Sequence, residues 1–226
     1  MIVSPPAFAL TLLWGTVVGL DLVSVPQGLL SRPLVAATIA GLLLGDVASG
    51  LIAGMVLELY ALDVLPIGAS RYPDFSVAAV AGGVAAALVP DSVAVGAAGL
   101  VGLPMAALGG WTLQKLRRRN ALSVQRRLDR VAHGDGRAIW ELQRNGLLRD
   151  AMRSFALALL GVGVALLAAV IPWEMFHHAR FLSWAVLAGG IAAALGGAIR
   201  SAGRGGRRRW LAVGLATGIV LVVMLR

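Results

Sequence analysis

The sequence predicts an all-α integral membrane protein, a polytopic helical bundle containing a re-entrant helical hairpin. Three observations carry that expectation. Hydrophobic residues make up 58% of the chain and charged residues only 14%, with a mean hydropathy of +0.83. Soluble domains hold about 45–50% apolar and about 25% charged residues, so the excess is too large for a water-soluble core. The apolar runs lack strict two-residue alternation, which favours helices over barrel strands. The stretch 31–75 is apolar enough to enter a bilayer, yet Asp46, Glu58, Asp63, several glycines and Pro66 interrupt it.

The elements follow in order. Residues 7–20 form an apolar first span, and the absence of a basic start before it argues against a cleaved signal peptide. Residues 21–33 are a polar connection holding Asp21, Pro26, Gln27, Arg32 and Pro33. The run 34–44 would make only about 16 Å of helix, half a bilayer. A Gly45-Asp46 turn signal separates it from a second half-length run, 51–62. These two runs predict the hairpin; a single tilted crossing that buries Asp46 is the alternative. A carboxylate at the bilayer centre costs roughly 2.5–3.5 kcal/mol on insertion scales, so such a group marks a pathway, a pair or an interface. Transporters place binding sites at helices broken in this way. The stretch therefore reads as the substrate-handling element of a membrane transport protein.

Beyond it, Asp74 is placed to cap a short apolar run over 75–89. Pro90-Asp91-Ser92 turns the chain into a span over 93–113 that contains Pro104. Residues 115–149 are hydrophilic and arginine-rich, with partial helical spacing of leucines, and His133-Gly134-Asp135-Gly136 divides them. Basic amphipathic helices of this kind lie on anionic lipid, and the same surface could dock a cytoplasmic protein. Spans at 151–171, 181–199 and 210–225 complete the chain, with a basic loop at 200–209. Three regions result: a membrane region with the hairpin at 1–114, a basic cytoplasmic amphipathic segment at 115–150, and membrane spans at 151–226.

The net charge of +9 does not imply nucleic acid as a partner. The basic residues concentrate beside apolar spans, which is the positive-inside pattern of cytoplasmic loops. Cysteine is absent, so neither a disulfide framework nor thiol chemistry is expected. No histidine has companions at metal-ligand spacing, and the chain lacks a P-loop. No cofactor, metal site or catalytic residue is expected.

The strings G-L-D at 19–21, S-R-P-L-V-A at 31–36, G-L-L-L-G-D at 41–46, G-L-I-A-G-M-V-L-E-L at 50–59, L-P-I-G-A at 65–69 and P-D at 73–74 keep a common order and spacing. Over roughly residues 15–80 the chain resembles the IIC membrane subunit of the mannose/fructose/sorbose-type sugar phosphotransferase system. G-L-L-R-D-A-M-R-S-F at 146–155 is a fainter echo. The resemblance implies a hetero-oligomer with a IID membrane subunit, importing a hexose or amino sugar in the bacterial cytoplasmic membrane. Cytoplasmic IIA and IIB subunits relay phosphate from phosphoenolpyruvate, and the phosphorylated histidines lie on them.

A sugar offers paired hydroxyls that carboxylates and amides can meet, and an apolar face that an aromatic ring can cover. Glu58, Asp46, Gln27, Asp21 and Arg32 are the candidate substrate-binding residues, with Tyr60 or Tyr72 as the ring. Each also has a plainer reading. Glu58 can pair with Arg32 or Arg71, Asp46 can cap the second hairpin arm, and Asp21 can simply end its span. Gln27 can be a solvated loop residue, and Arg32 a headgroup anchor. An ion-coupled secondary carrier, or a membrane scaffold that recruits cytoplasmic partners, remains open as an alternative function.

Overall fold

Helix α1, Pro5–Val23, begins where Ser4 accepts a hydrogen bond from the Ala7 N–H and where two prolines occupy positions whose N–H groups would go unused. The computed structural model of the protein describes residues 3–64, 70–176, 178–201 and 213–214. A connection over 24–32 leads into α2, Pro33–Leu43, again with proline in the first turn. The helix stops at Leu44, Gly45 turns with φ +82°, and α3 covers Val47–Ala61. Asp46 caps α3 by accepting the Ser49 N–H at 3.0 Å.

The two helices fold back on each other. A Cβ added to Gly41 would lie 2.8 Å from the Gly50 Cα, and one added to Gly50 would lie 2.6 Å from the Ala37 carbonyl oxygen. Only hydrogen at both positions allows this backbone approach. The arms hold 11 and 15 residues, about 16 and 22 Å, and neither crosses a hydrocarbon layer of about 30 Å. The hairpin is thus formed, rather than one long tilted helix through Gly45.

All 13 residues of α4, Phe75–Ala87, are buried. After Phe75 and Ser76 its sequence is alanine, valine and glycine on every side, so it has no solvent or lipid face to choose. It packs against α1, α2, α3, α5 and α7 and forms the centre of the bundle. Helix α5, Asp91–Gln125, runs back along it, and α7, Gly136–Ala169, packs on α1 and α4. Helix α8, Ala179–Ser201, is peripheral; it buries only Val186 and Gly190. The Tyr60 hydroxyl ties it to α3 by donating to the Val186 carbonyl at 2.7 Å. Tyr60→Phe should therefore loosen α8 by about 0.5–1.5 kcal/mol, read as faster amide exchange along 183–190.

Helices α1, α5, α7 and α8 are long and apolar enough to cross a membrane. The basic segment is helical and largely continues the two long helices beside it. Its expected boundaries at 114/115 and 150/151 fall inside α5 and α7, which carry their helical course past the apolar windows. The short α6, Leu128–Ala132, closes the far end. Asp135 starts α7 by accepting the Arg137 and Ala138 N–H groups. These bonds, with Arg130 beside them, hold its carboxyl below the ordinary value. A depressed carboxylate stabilises above its unfolded pKa of about 3.9 and loses that contribution as pH falls through the folded value. Exchange protection at Arg137 and Ala138 should accordingly be present at neutral pH and drop below about pH 4. A turn of 3-10 helix at Trp173–Met175 precedes α8. His177, most of the basic loop at 200–209, and the expected last span at 210–225 apart from 213–214 lie outside the described residues.

Candidate functional site at the base of the hairpin

The hairpin is broken at its tip and clamped at its base. Asp21, at the end of α1, is 2% exposed. Its two carboxylate oxygens accept the N–H groups of Gly28 and Ser31, the latter at 2.8 Å. The connection between them holds Gln27 at φ 57° and Leu29 at φ 66°. Left-handed backbone is uncommon for residues with a side chain and persists where the surroundings fix it. Here the Asp21 carboxylate does so, and it presents Gln27 outward into solvent.

One residue past Ser31, the Arg32 guanidinium pairs with Glu58 from α3. The other Glu58 oxygen accepts the Leu34 N–H at 3.2 Å, at the first turn of α2. Asp21, Gln27, Arg32 and Glu58 therefore share one end of the hairpin. Asp46 sits at the opposite end, 12 residues before Glu58, or about 18 Å along the helix. The five candidates do not converge on one hollow.

Two cavities lie nearby. The larger, about 930 Å³, runs between the 24–27 connection, α5 and α7, and takes Gln27, Tyr72, Asn120 and Trp140 into its wall. The smaller, about 530 Å³, takes Tyr60, Tyr72, Arg71 and Asp63. Neither is lined by Glu58 or Asp46. Tyr72 borders both and lies under the Arg117 guanidinium, 4.9 Å from the ring centre.

One constellation was not foreseen from the sequence. Asp74 caps α4 through the Ser76 N–H at 3.0 Å and pairs with Arg153 of α7. Arg153 also reaches Asp150 at 3.2 Å, and Asp150 accepts the Ser24 hydroxyl at 2.6 Å. The side chains of Asp74, Asp150 and Arg153 are 0%, 1% and 7% exposed. This buried network joins α4, α7 and the start of the connection that leads to Arg32. Its one trace in the sequence was Asp150 and Arg153, opposite charges three residues apart at the edge of an apolar span. Among the described residues no group of three His, Cys, Asp or Glu is arranged to hold a metal ion.

Comparison with known proteins bears on this fold directly. The family described as the phosphotransferase system sorbose-specific IIC component matches residues 7–203. The chain belongs to that family. A sorbose-specific EIIC component from Lacticaseibacillus casei is 34% identical over 68% of this chain and 54% of its own length. A mannose-specific EIIC component from Escherichia coli K12 is 34% identical over 54% of this chain and 45% of its own length. The chain thus spans about half the length of such curated relatives. Among solved structures, one described as a membrane protein matches with TM-score 0.65 and 21% identity, over 99% of this chain and 95% of that one. The mannose transporter ManYZ in complex with microcin E492 matches with TM-score 0.52 and 20% identity, over 100% and 95%. These two share the helical fold. Family membership and four membrane-length helices make this IIC chain a multi-pass protein of the bacterial cytoplasmic membrane.

Proposed function

We propose that this IIC chain binds and translocates a hexose or amino sugar together with a IID membrane subunit, and presents it to a IIB subunit for phosphorylation. The observation that carries the proposal is the hairpin base, where a clamped connection sets Arg32 against Glu58 beside an outward-facing Gln27. A guanidinium only donates hydrogen bonds and a carboxylate only accepts them. Side by side they offer the two roles that adjacent sugar hydroxyls need. Asp21 acts through the loop it fixes, and Asp46 sets the tip where the hairpin reverses. No bond is made or broken by this chain in the proposed scheme; its contribution is position and access.

The test is reconstitution in proteoliposomes with IID, IIA, IIB and the general phosphocarriers. Phosphoenolpyruvate-dependent accumulation of a phosphorylated hexose or amino sugar is the expected result. Uptake of unmodified sugar driven by an ion gradient, or no uptake of any such sugar, would overturn it.

A further inference from the structure

The continuous course of α5 and α7 past their apolar windows builds a surface of its own. Between 115 and 149 there are ten lysines and arginines against three acids. Part of that charge holds the two helices together. Arg149 donates to Asn120 at 3.1 Å and to Ser123 at 2.8 Å, and Arg127 pairs with Glu141 at 3.3 Å. Arg118, Arg119, Arg126 and Arg144 are exposed and have no acidic partner among the described residues. Their charge is left for something outside the chain.

Apolar groups accompany it. The 930 Å³ groove at the foot of this helical pair is walled by Leu116, Leu142 and Leu147, with Arg117 and Arg144 at its polar positions. Trp140 also lines it and is 62% exposed. An apolar centre with tryptophan, rimmed by arginine, is the composition of a protein-recognition patch.

Distance separates a protein partner from lipid. The hydrophilic part of α5 adds about 16 Å beyond its apolar window, and that of α7 about 22 Å. The Debye length at physiological ionic strength is about 8 Å. Arg127, Arg130 and Arg137 are paired with Glu141 and Asp135, but the unpartnered Arg126 and Arg144 stand about 18 Å and about 9 Å beyond the apolar windows, past the reach of an anionic bilayer surface. We infer that this cytoplasmic helical pair, with Trp140 and the groove at its foot, is the docking surface for the acidic face of a soluble protein. The occupant is a protein with carboxylates placed opposite Arg126 and Arg144 and an apolar residue for the Trp140 groove. The choice of probe rests on the function proposed above, under which that protein is IIB.

The test uses the full chain with IID in nanodiscs. Purified IIB is titrated against it, and sugar binding is measured in parallel on the same sample. The variants are Arg126→Glu with Arg144→Glu, and separately Trp140→Ala, all at exposed positions. Each variant should weaken IIB binding by about tenfold or more, with wild-type binding falling as salt rises and sugar binding unchanged. Unchanged IIB affinity in both variants would overturn the inference. So would charge reversal that abolishes only a preference for phosphatidylglycerol over phosphatidylcholine nanodiscs, since the surface would then belong to lipid. Wild-type protein that binds sugar but not IIB overturns the docking surface alone. Wild-type protein that binds IIB through this surface but takes no sugar overturns the transport reading alone, and binding of neither overturns both.

Discussion

Arg153→Met should lower stability by about 3–5 kcal/mol, because it strands two carboxylates among packed helices. Asp74 and Asp150 are both buried and share this one guanidinium. Thermal unfolding in detergent, followed by tryptophan fluorescence, measures the effect. Arg118→Met, at an exposed site without an acidic partner, is the control and should leave the transition in place. The loss should also be recoverable. Breaking one side of a buried pair is costly, whereas replacing all partners together is often near neutral. Asp74→Asn, Asp150→Asn and Arg153→Met in one chain should regain most of the stability, and asparagine still caps α4. A triple variant no better than the single one would show that the network does more than balance charge.

Gly50→Val should separate the two arms of the hairpin. The added Cβ meets the Ala37 carbonyl oxygen at 2.6 Å and the Gly41 Cα at 2.8 Å. Both are backbone atoms, so no rotamer change relieves the overlap and the arms must separate. Overpacking a well-filled core costs about 1–3 kcal/mol. The same opening moves Glu58 relative to Arg32, since one lies on each arm's base. Gly163→Val on α7, where an added Cβ meets nothing within 4 Å, provides the comparison. Lower thermal stability and lost uptake for the first, with neither for the second, is the expected pattern.

The hairpin was legible in the sequence because its signal is local. An apolar run of half a bilayer, a Gly-Asp turn and a second short run sit next to one another. The caps by Asp46 and Asp74 were equally local, each an acid just before its helix. The central place of α4 was only half visible. Its thirteen residues read as a short apolar run, and their meaning lies in what is missing, a polar or bulky face. Of the network of Ser24, Asp74, Asp150 and Arg153, only the Asp150 and Arg153 charges, three residues apart, were legible. Its other bonds join residues 79 and 126 positions apart, and no spacing along the chain announces such a pairing. That the hydrophilic segment continues α5 and α7 was hidden because composition changes sharply at 115 while the backbone does not. Of the candidate site, residue types alone allow the Arg32–Glu58 pair, an acid and a base at opposite ends of the same short apolar stretch. The separation of Asp46 from it by the length of α3 follows only once the hairpin is drawn.

The most direct measurement is phosphoenolpyruvate-dependent sugar uptake by reconstituted Glu58→Gln. Glutamine keeps the size and the Leu34 contact but loses the charge that faces Arg32. With assembly and unfolding temperature close to wild type, uptake should fall by about tenfold or more, the cost of one lost charge-assisted interaction of about 1.5–3 kcal/mol. Wild-type uptake by both Glu58→Gln and Asp46→Asn would contradict the assignment of sugar handling to this hairpin.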